Sequence, residues 1–546
     1  MNYRQKNTQV LLLISYCLLL FGCAQSVPPT GGKKDVIPPK LVKSIPVHKQ
    51  TNYQDKTLEL EFDEYVVVEN LQQKLLITPD PGEYESKVKP KGLRLIFKKS
   101  LDSAKTYSFS FGDAIKDFAE KNPARNLRVV FSTGPSIDSA SVSGEVTDLL
   151  TNKKELDILV GLYPNTDTLN IEKMKPYYFT RTDSSGKFSL ENLQANTYRL
   201  VAFDDRNRSL TYNLKAERIA YMKDSIVVKD STQMSGVLLK LYMANFTPPK
   251  VRNTTPRANF YSINYDKGFT DYKIKFNSPE DSIPCFQSNP TELKFFNTKN
   301  RKDTLVVKIA VTDSLGLVFE HTQKIKFREA RTKADTSKEP IDFATNFGES
   351  NAIKPKQLNL RWTFTKPIAE ARLHQIKIVS DSTKVENVKP EDFKWENNRS
   401  VLTLERPILA KQELKIELPK ATIFGIENDT IPAKTFKISI MQEEDFGTIQ
   451  GEVKNAKDQK FFVELLNDKY ETIEKISNKT PFEFGYIKPA ATYFVRVTID
   501  KNANNRWDAG DFKTKRIPEP VFFYAEPLKV KKNFVLSGID VDLGMR

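Results

Sequence analysis

The runs Leu58-Glu59-Leu60-Glu61-Phe62, Leu93-Arg94-Leu95-Ile96-Phe97 and Tyr107-Ser108-Phe109-Ser110-Phe111 are built on apolar and polar side chains in alternation. A period of two places one class of side chain on each face of an extended strand, the pattern of a half-buried antiparallel sheet. Such runs recur along the 546 residues between turn-forming residues, and long helical periodicity is nearly absent. The pattern predicts an all-β chain of tandem β-sandwiches, with Greek-key connections as the default. At roughly 150 residues per domain, three to five of them are expected. A composition of 39% hydrophobic and 28% charged residues is enough for several small cores.

Two kinds of module repeat. The first opens near Ile37-Pro38-Pro39, runs through Leu58 to Phe62, Leu75 to Pro79, Leu93 to Phe97 and Tyr107 to Phe111, and closes on Val129-Val130-Phe131-Ser132-Thr133. It returns as Leu358 to Phe364, Val401 to Leu404 and Leu414 to Leu418, and both copies continue into a loop, Asp113 to Asp117 and Ala421 to Gly425. The Pro-Pro opening, the strand ending Glu61-Phe62-Asp63-Glu64 and the closing Phe-Ser-Thr-Gly resemble the bacterial immunoglobulin-like module first described in surface-layer proteins; the second copy lacks the Pro-Pro and the closing Ser-Thr-Gly.

The second kind runs from Val142-Ser143-Gly144-Glu145-Val146 through the turn Asp183 to Lys187 and Phe188 to Leu193 to Thr197-Tyr198-Arg199-Leu200-Val201-Ala202-Phe203. Its echo is Ile449-Gln450-Gly451-Glu452-Val453, Phe482-Glu483-Phe484 and Thr492 to Asp500. The order Gly-x-Val, Gly-x-Phe, then a Tyr-containing strand resembles the carboxypeptidase regulatory-like, transthyretin-type sandwich, a spacer and interaction fold. The expected organisation is a leader over residues 1–22, a flexible tether over 23–40, and five sandwiches. These are a bacterial Ig-like domain over 41–136, a transthyretin-like sandwich over 140–240, an Ig-like sandwich over 248–333, a second bacterial Ig-like domain over 340–442 and a second transthyretin-like sandwich over 446–546, in succession as a rod.

The first 22 residues have the layout of a secretory signal: Arg4 and Lys6, an apolar run from Val10 to Phe21 that is short for a bilayer span, then a small residue. Leu20-Phe21-Gly22-Cys23 resembles the lipobox of bacterial lipoproteins, and that resemblance implies cleavage before Cys23 and acylation of its thiol. Two or three acyl chains, at about 0.8 kcal/mol per buried methylene, anchor far more firmly than one. The Pro-, Gly-, Ser- and Lys-rich stretch that follows reads as a leash. Of the three cysteines, Cys17 lies in the signal and Cys23 at the anchor, so Cys285 has no intramolecular disulfide partner after processing.

The formal charge is +15, with lysines and acids interleaved and no dense basic block, which argues against nucleic acid and leaves a solvated surface or an anionic lipid or glycan partner. Nucleophilic catalysis needs a histidine beside the nucleophile, but His48, His321 and His374 fall in three different modules. The carboxylates Asp63, Glu64, Glu391 and Asp392 show no legible pairing. The expectation is therefore no enzyme and no catalytic residue. Trp362, Trp395 and Trp507 either stack on sugars or pack in cores.

The loop from Asp500 to Asp511 has oxygen-bearing side chains at Asp500, Asn502, Asn504, Asp508 and Asp511, the spacing of a calcium loop. Asn505 stands where that loop has Gly, and Asp511 where it has Glu. The two readings are a structural calcium site and an Asx-rich turn that bonds its own backbone. As a whole the chain resembles the immunoglobulin-like lipoproteins common in Bacteroidota. That implies an outer-membrane lipoprotein, on either face, whose partners are outer-membrane proteins of a barrel-assembly or secretion complex; the alternative is a surface adhesin that binds glycans.

Overall fold

The structure, a computed structural model, describes residues 34–544 apart from 215, 244, 330–339, 348–356, 382–383, 387 and 409. Cys23, the signal and most of the tether lie outside the described residues. Among those described, the chain is β throughout, with only short helical turns between strands. No described helix is long and apolar enough to cross a membrane.

The strands form five sandwiches, over residues 41–132, 140–243, 251–325, 343–439 and 447–542. In the first, a sheet in the order Leu41–Ile45, Thr57–Phe62, Gly92–Phe97, Tyr84–Lys89 faces a sheet of Leu76–Thr78, Thr106–Ser110 and Arg128–Ser132. The alternation decides which side chains meet: Leu58, Leu60 and Phe62 are buried against Phe97, Phe109 and Phe131, while Glu59 and Glu61 face outward. Phe109 and Phe131 stack at 5.6 Å between ring centroids.

The fourth sandwich repeats this plan around Trp362, which is fully buried among Phe347, Phe393 and Leu402. The segments after the penultimate strands, expected as loops, are partly strands: Ile115–Asp117 pairs with Val66–Val68, and Ile423–Gly425 with Ile368–Ala371. Ile115 and Ile423 are buried, so each short pair closes one end of a core.

The second and fifth sandwiches share a different plan. In each the opening strand pairs in parallel with the closing one: Ala140–Asp148 with Gln233–Met243, and, broken in two, Gly447–Gly451 with Val535–Leu536 and Val453–Lys454 with Val541–Asp542. In each a buried strand, the apolar Leu159–Pro164 or Phe461–Leu466 with Glu464 as its one charged residue, lies antiparallel to the Tyr-containing strand, Asn196–Phe203 or Thr492–Ile499. Gly144 and Gly451 sit where a Cβ would lie about 2 Å from a backbone carbonyl oxygen, 1.9 Å from that of Val237 and 2.0 Å from that of Ile539, so the parallel pairing requires glycine there.

The expected rod is corrected. Leu149, Leu159, Tyr163, Val201, Phe203, Ile219 and Tyr242 of the second sandwich form one buried cluster with Ala509 and Val521 of the fifth. The fifth sandwich therefore folds back on the second. Apolar strands dictate this: Leu159-Val160-Gly161-Leu162-Tyr163 is buried on both faces, and only one of those faces looks into its own core.

Candidate functional site

The joint between the second and fifth sandwiches is made by two equivalent loops. Each leaves the end of the Tyr-containing strand and returns beside it, over residues 204–217 and 500–520. In the first, Asp205 accepts hydrogen bonds from the backbone N–H groups of Ser209 (2.9 Å) and Leu210 (3.4 Å). In the second, Asp500 accepts them from Asn504 (3.0 Å) and Asn505 (2.7 Å). Each aspartate thus caps the N–H groups four and five residues on. A buried glutamate completes each loop: Glu217 accepts from the N–H groups of Asn213 and Leu214, and Glu519 from those of Lys501 and Asp508. Burial pushes both glutamate carboxyls up, and at Glu519 the charges of Asp508 and Asp500 push the same way.

The five residues of the calcium reading are brought only partly together. Asp508 accepts from the amide groups of both Asn502 (2.5 Å) and Asn504 (3.0 Å), and the amide oxygens of those asparagines accept from the N–H groups of Asn504 and Arg506. Asp511 turns to the next bend, where it accepts from the N–H of Lys513 and the hydroxyl of Thr514. Among the described residues no group of three or more His, Cys, Asp or Glu side chains is disposed to hold a metal ion. In this arrangement the oxygens of Asp500, Asn502, Asn504 and Asp508 accept from N–H groups of the loop itself.

What the loop presents is apolar. Trp507 donates its indole N–H to the Glu519 carbonyl (3.1 Å), which aims its ring edge-on at Tyr242, 6.0 Å away. Phe512 meets Tyr221 edge-on at 5.2 Å. Gly510 lies so close that a Cβ there would be 2.4 Å from the Tyr242 hydroxyl oxygen and 2.6 Å from the Arg516 carbonyl oxygen. Polar links surround this centre: Tyr221 donates to the Arg516 carbonyl, the Lys240 amine to the Val521 carbonyl (3.1 Å), and Lys513 pairs with Glu172 (2.8 Å). Arg496, paired with the buried Glu464 at 2.8 Å, donates to the Leu150 carbonyl. The oxygen spacing marks the loop in the sequence, while the partner it meets across the joint has no local signature there.

The other candidate residues have structural surroundings. Cys285 is buried, and burial pushes its thiol up to about 12, far from the thiolate a nucleophile needs. His321 bonds the Tyr265 hydroxyl (3.0 Å) and stacks on Phe319; His48 accepts from the Val130 N–H; His374 lies in the short turn Leu373–Gln375. Burial lowers both His48 and His321. Trp395 packs on Phe364 under the Arg399 guanidinium, so of the three tryptophans one is core, one half-buried and one in the joint. Asp63 accepts from the Lys40 N–H and Asp392 from the Lys389 N–H.

A second contact joins the third and fourth sandwiches. Asn397, Asn398 and Arg399 form a left-handed run, with φ of 45°, 51° and 64°. The Asn397 side chain donates to the Gln287 carbonyl and accepts from the Gln287 N–H, and Asn398 donates to the Cys285 carbonyl.

No curated protein matches the sequence. Among solved structures, the chain is 9% identical to latent PorU of Porphyromonas gingivalis, covering 57% of this chain and 36% of that one at a TM-score of 0.23. It is 10% identical to the S-layer protein SbsC, covering 89% and 66% at 0.14, and 9% identical to the major pilin subunit BcpA of Bacillus cereus, covering 74% and 99% at 0.13. The chain thus spans about a third of PorU and just under two thirds of SbsC, and likenesses this low carry no functional argument. Residues 35–133, the first sandwich with the residues leading into it, match the family described as bacterial Ig-like domain.

Proposed function

We propose that this chain is a non-catalytic lipoprotein, held on the outer membrane through Cys23, that serves as scaffold or accessory subunit of an outer-membrane protein complex of the barrel-assembly or secretion type. The observation that carries this reading is the joint. Burying Trp507 and Phe512 of one sandwich against Tyr221 and Tyr242 of another fixes the two bodies relative to each other. A scaffold needs its surfaces held in register, whereas an adhesin of independent beads does not. The family match at residues 35–133 supports a bacterial binding module, and the buried Cys285 agrees with a body that binds without reacting.

Cross-linking in intact cells followed by purification from detergent-solubilised membranes tests the proposal. The expected result is a β-barrel protein in fixed ratio to this chain, lost from Trp507→Ala/Phe512→Ala although that variant stays in the membrane fraction. Recovery of the chain alone, together with binding of the purified chain to a glycan array, would overturn it in favour of the adhesin.

A further inference from the structure

At the end of the first sandwich where the chain arrives from the tether, two aromatic rings stand in solvent. Tyr65 is 61% exposed and Phe118 66% exposed, and beside them Val36 and Ile37 are 75% and 57% exposed. Backbone contacts make these one patch. The Phe118 N–H donates to the Tyr65 carbonyl (3.0 Å), and the Asn122 side chain donates to the Asp35 carbonyl (3.0 Å). Phe118 tips a tight turn whose N–H groups at Glu120, Lys121 and Asn122 all donate to Asp117. A lysine accompanies each ring: the Lys91 amine lies 5.5 Å from the Tyr65 centroid, and the Lys121 amine 5.4 Å from that of Phe118.

We infer that this tip docks on a lipid bilayer, with Tyr65 and Phe118 at the level of the headgroups and Lys91 and Lys121 reaching past them to lipid phosphates. Exposed rings paired with long cationic side chains suit the membrane interface, where the ring is half desolvated and the amine stays wet. Of the acids at the tip, Asp117 is buried, Glu64 and Glu120 are half-buried, and Asp35 and Asp63 are exposed but hydrogen-bonded to the backbone. Asp35 accepts from the Ile37 N–H, Asp63 from the Lys40 N–H and Asp117 from three N–H groups, while Glu64 is pushed up by desolvation and then by its acidic neighbours; Lys34 and Lys40 add two exposed cations. Chain length keeps this end within reach of the bilayer if Cys23 is lipidated, the reading on which the inference rests. From Cys23 to Asp35 a fully extended chain reaches only about 40 Å. The patch is thereby held at a high effective concentration beside the surface, where a weak second contact suffices.

The test separates the two ideas. The mass of the N-terminal peptide from membrane-purified protein reports lipidation by itself. Docking is read on the mature chain from residue 23 carrying Cys23→Ser, which has neither the lipid nor the apolar signal, floated with vesicles of phosphatidylethanolamine and phosphatidylglycerol. Tyr65→Ser/Phe118→Ser should lower the bound fraction about tenfold. Lys91→Gln/Lys121→Gln should lower it less, and only when phosphatidylglycerol is present. Equal flotation with and without the two rings would overturn the inference, as would loss of self-association, seen by ultracentrifugation, in place of loss of flotation. Unchanged melting of the double variant shows that the sandwich survives the substitutions.

Discussion

The loops after Phe203 and after Ile499 solve one problem with two chemistries. In both, an aspartate caps N–H groups four and five residues on, and a buried glutamate holds two more. The difference lies on the neighbouring strand. Leu159 pairs with Arg181, whose guanidinium lies 2.6 Å from the Asp205 carboxylate with that carboxylate fully buried. The matching partner of Phe461 is Asn478, and there the loop is tied by hydrogen bonds to an uncharged residue: Ser477 donates to the Asn505 side chain and the Lys475 ammonium to the Asn505 carbonyl. An ion pair closes one loop and a mesh of amides closes the other. The shared requirement is a stiff loop that carries aromatic and apolar residues into the joint.

The two loops should differ most at their capping aspartates. Asp205→Ala takes the buried carboxylate from Arg181, leaving it Asp157 at 3.6 Å, and should cost up to about 3–5 kcal/mol, whereas Asp500→Ala removes a cap with no buried cation beside it and should cost about 1–3 kcal/mol. Urea melts of the two variants check the order, and equal losses would show that Arg181 is not what distinguishes the loops. Gly510→Ala, which forces a Cβ into the joint, should cost about 1–3 kcal/mol and raise hydrogen exchange at both loops while the core of the first sandwich stays protected. Calcium should leave both loops unchanged. If hydrogen bonds alone close the Asp500 loop, a chelator leaves the melting temperature within about a degree; a fall of more than about 5 degrees, restored by calcium and absent in Asp500→Ala, would show that the loop takes the ion.

The smallest effect is that of pH. Because Glu217 and Glu519 titrate above the ordinary 4.5 when folded, the folded loops hold those protons more tightly than the unfolded chain does. Their contribution to stability therefore rises as pH falls from the folded value towards 4.5. Asp381 behaves oppositely. The N–H groups of Lys411, Gln412 and Glu413 hold it below 3.8, so its contribution is present above that value and is lost as pH falls further. Hydrogen exchange across an acid titration should tighten the two loops first and loosen the Asp381 turn last.

Much of this could be read from the residues because it is local. Period-two runs such as Leu58 to Phe62 become strands with the expected faces buried, and the Gly-x-Val and Tyr-strand echoes become matching parallel and antiparallel pairings. The joint is not local, and alternation says nothing about a second buried face. One signal for it was present. The runs Leu159 to Tyr163 and Phe461 to Leu466 are apolar almost without interruption and buried on both sides, which a sandwich strand with one wet face never needs. The Asp500 spacing was visible, but its oxygens could be assigned to N–H groups only once the turn was in view, since the same residues serve a cation or a backbone.

The joint also imposes a schedule. Tyr221 and Arg516, which it brings together, are 295 residues apart in the chain. At about 5–20 residues per second, the second sandwich waits roughly 15–60 seconds during synthesis before its docking face can be covered. Throughout that interval Tyr221 and Tyr242 lack their partners Phe512 and Trp507. A nascent or truncated chain would thus be sticky in one defined place, and whatever escorts it to its destination has a reason to hold that place until the last sandwich arrives.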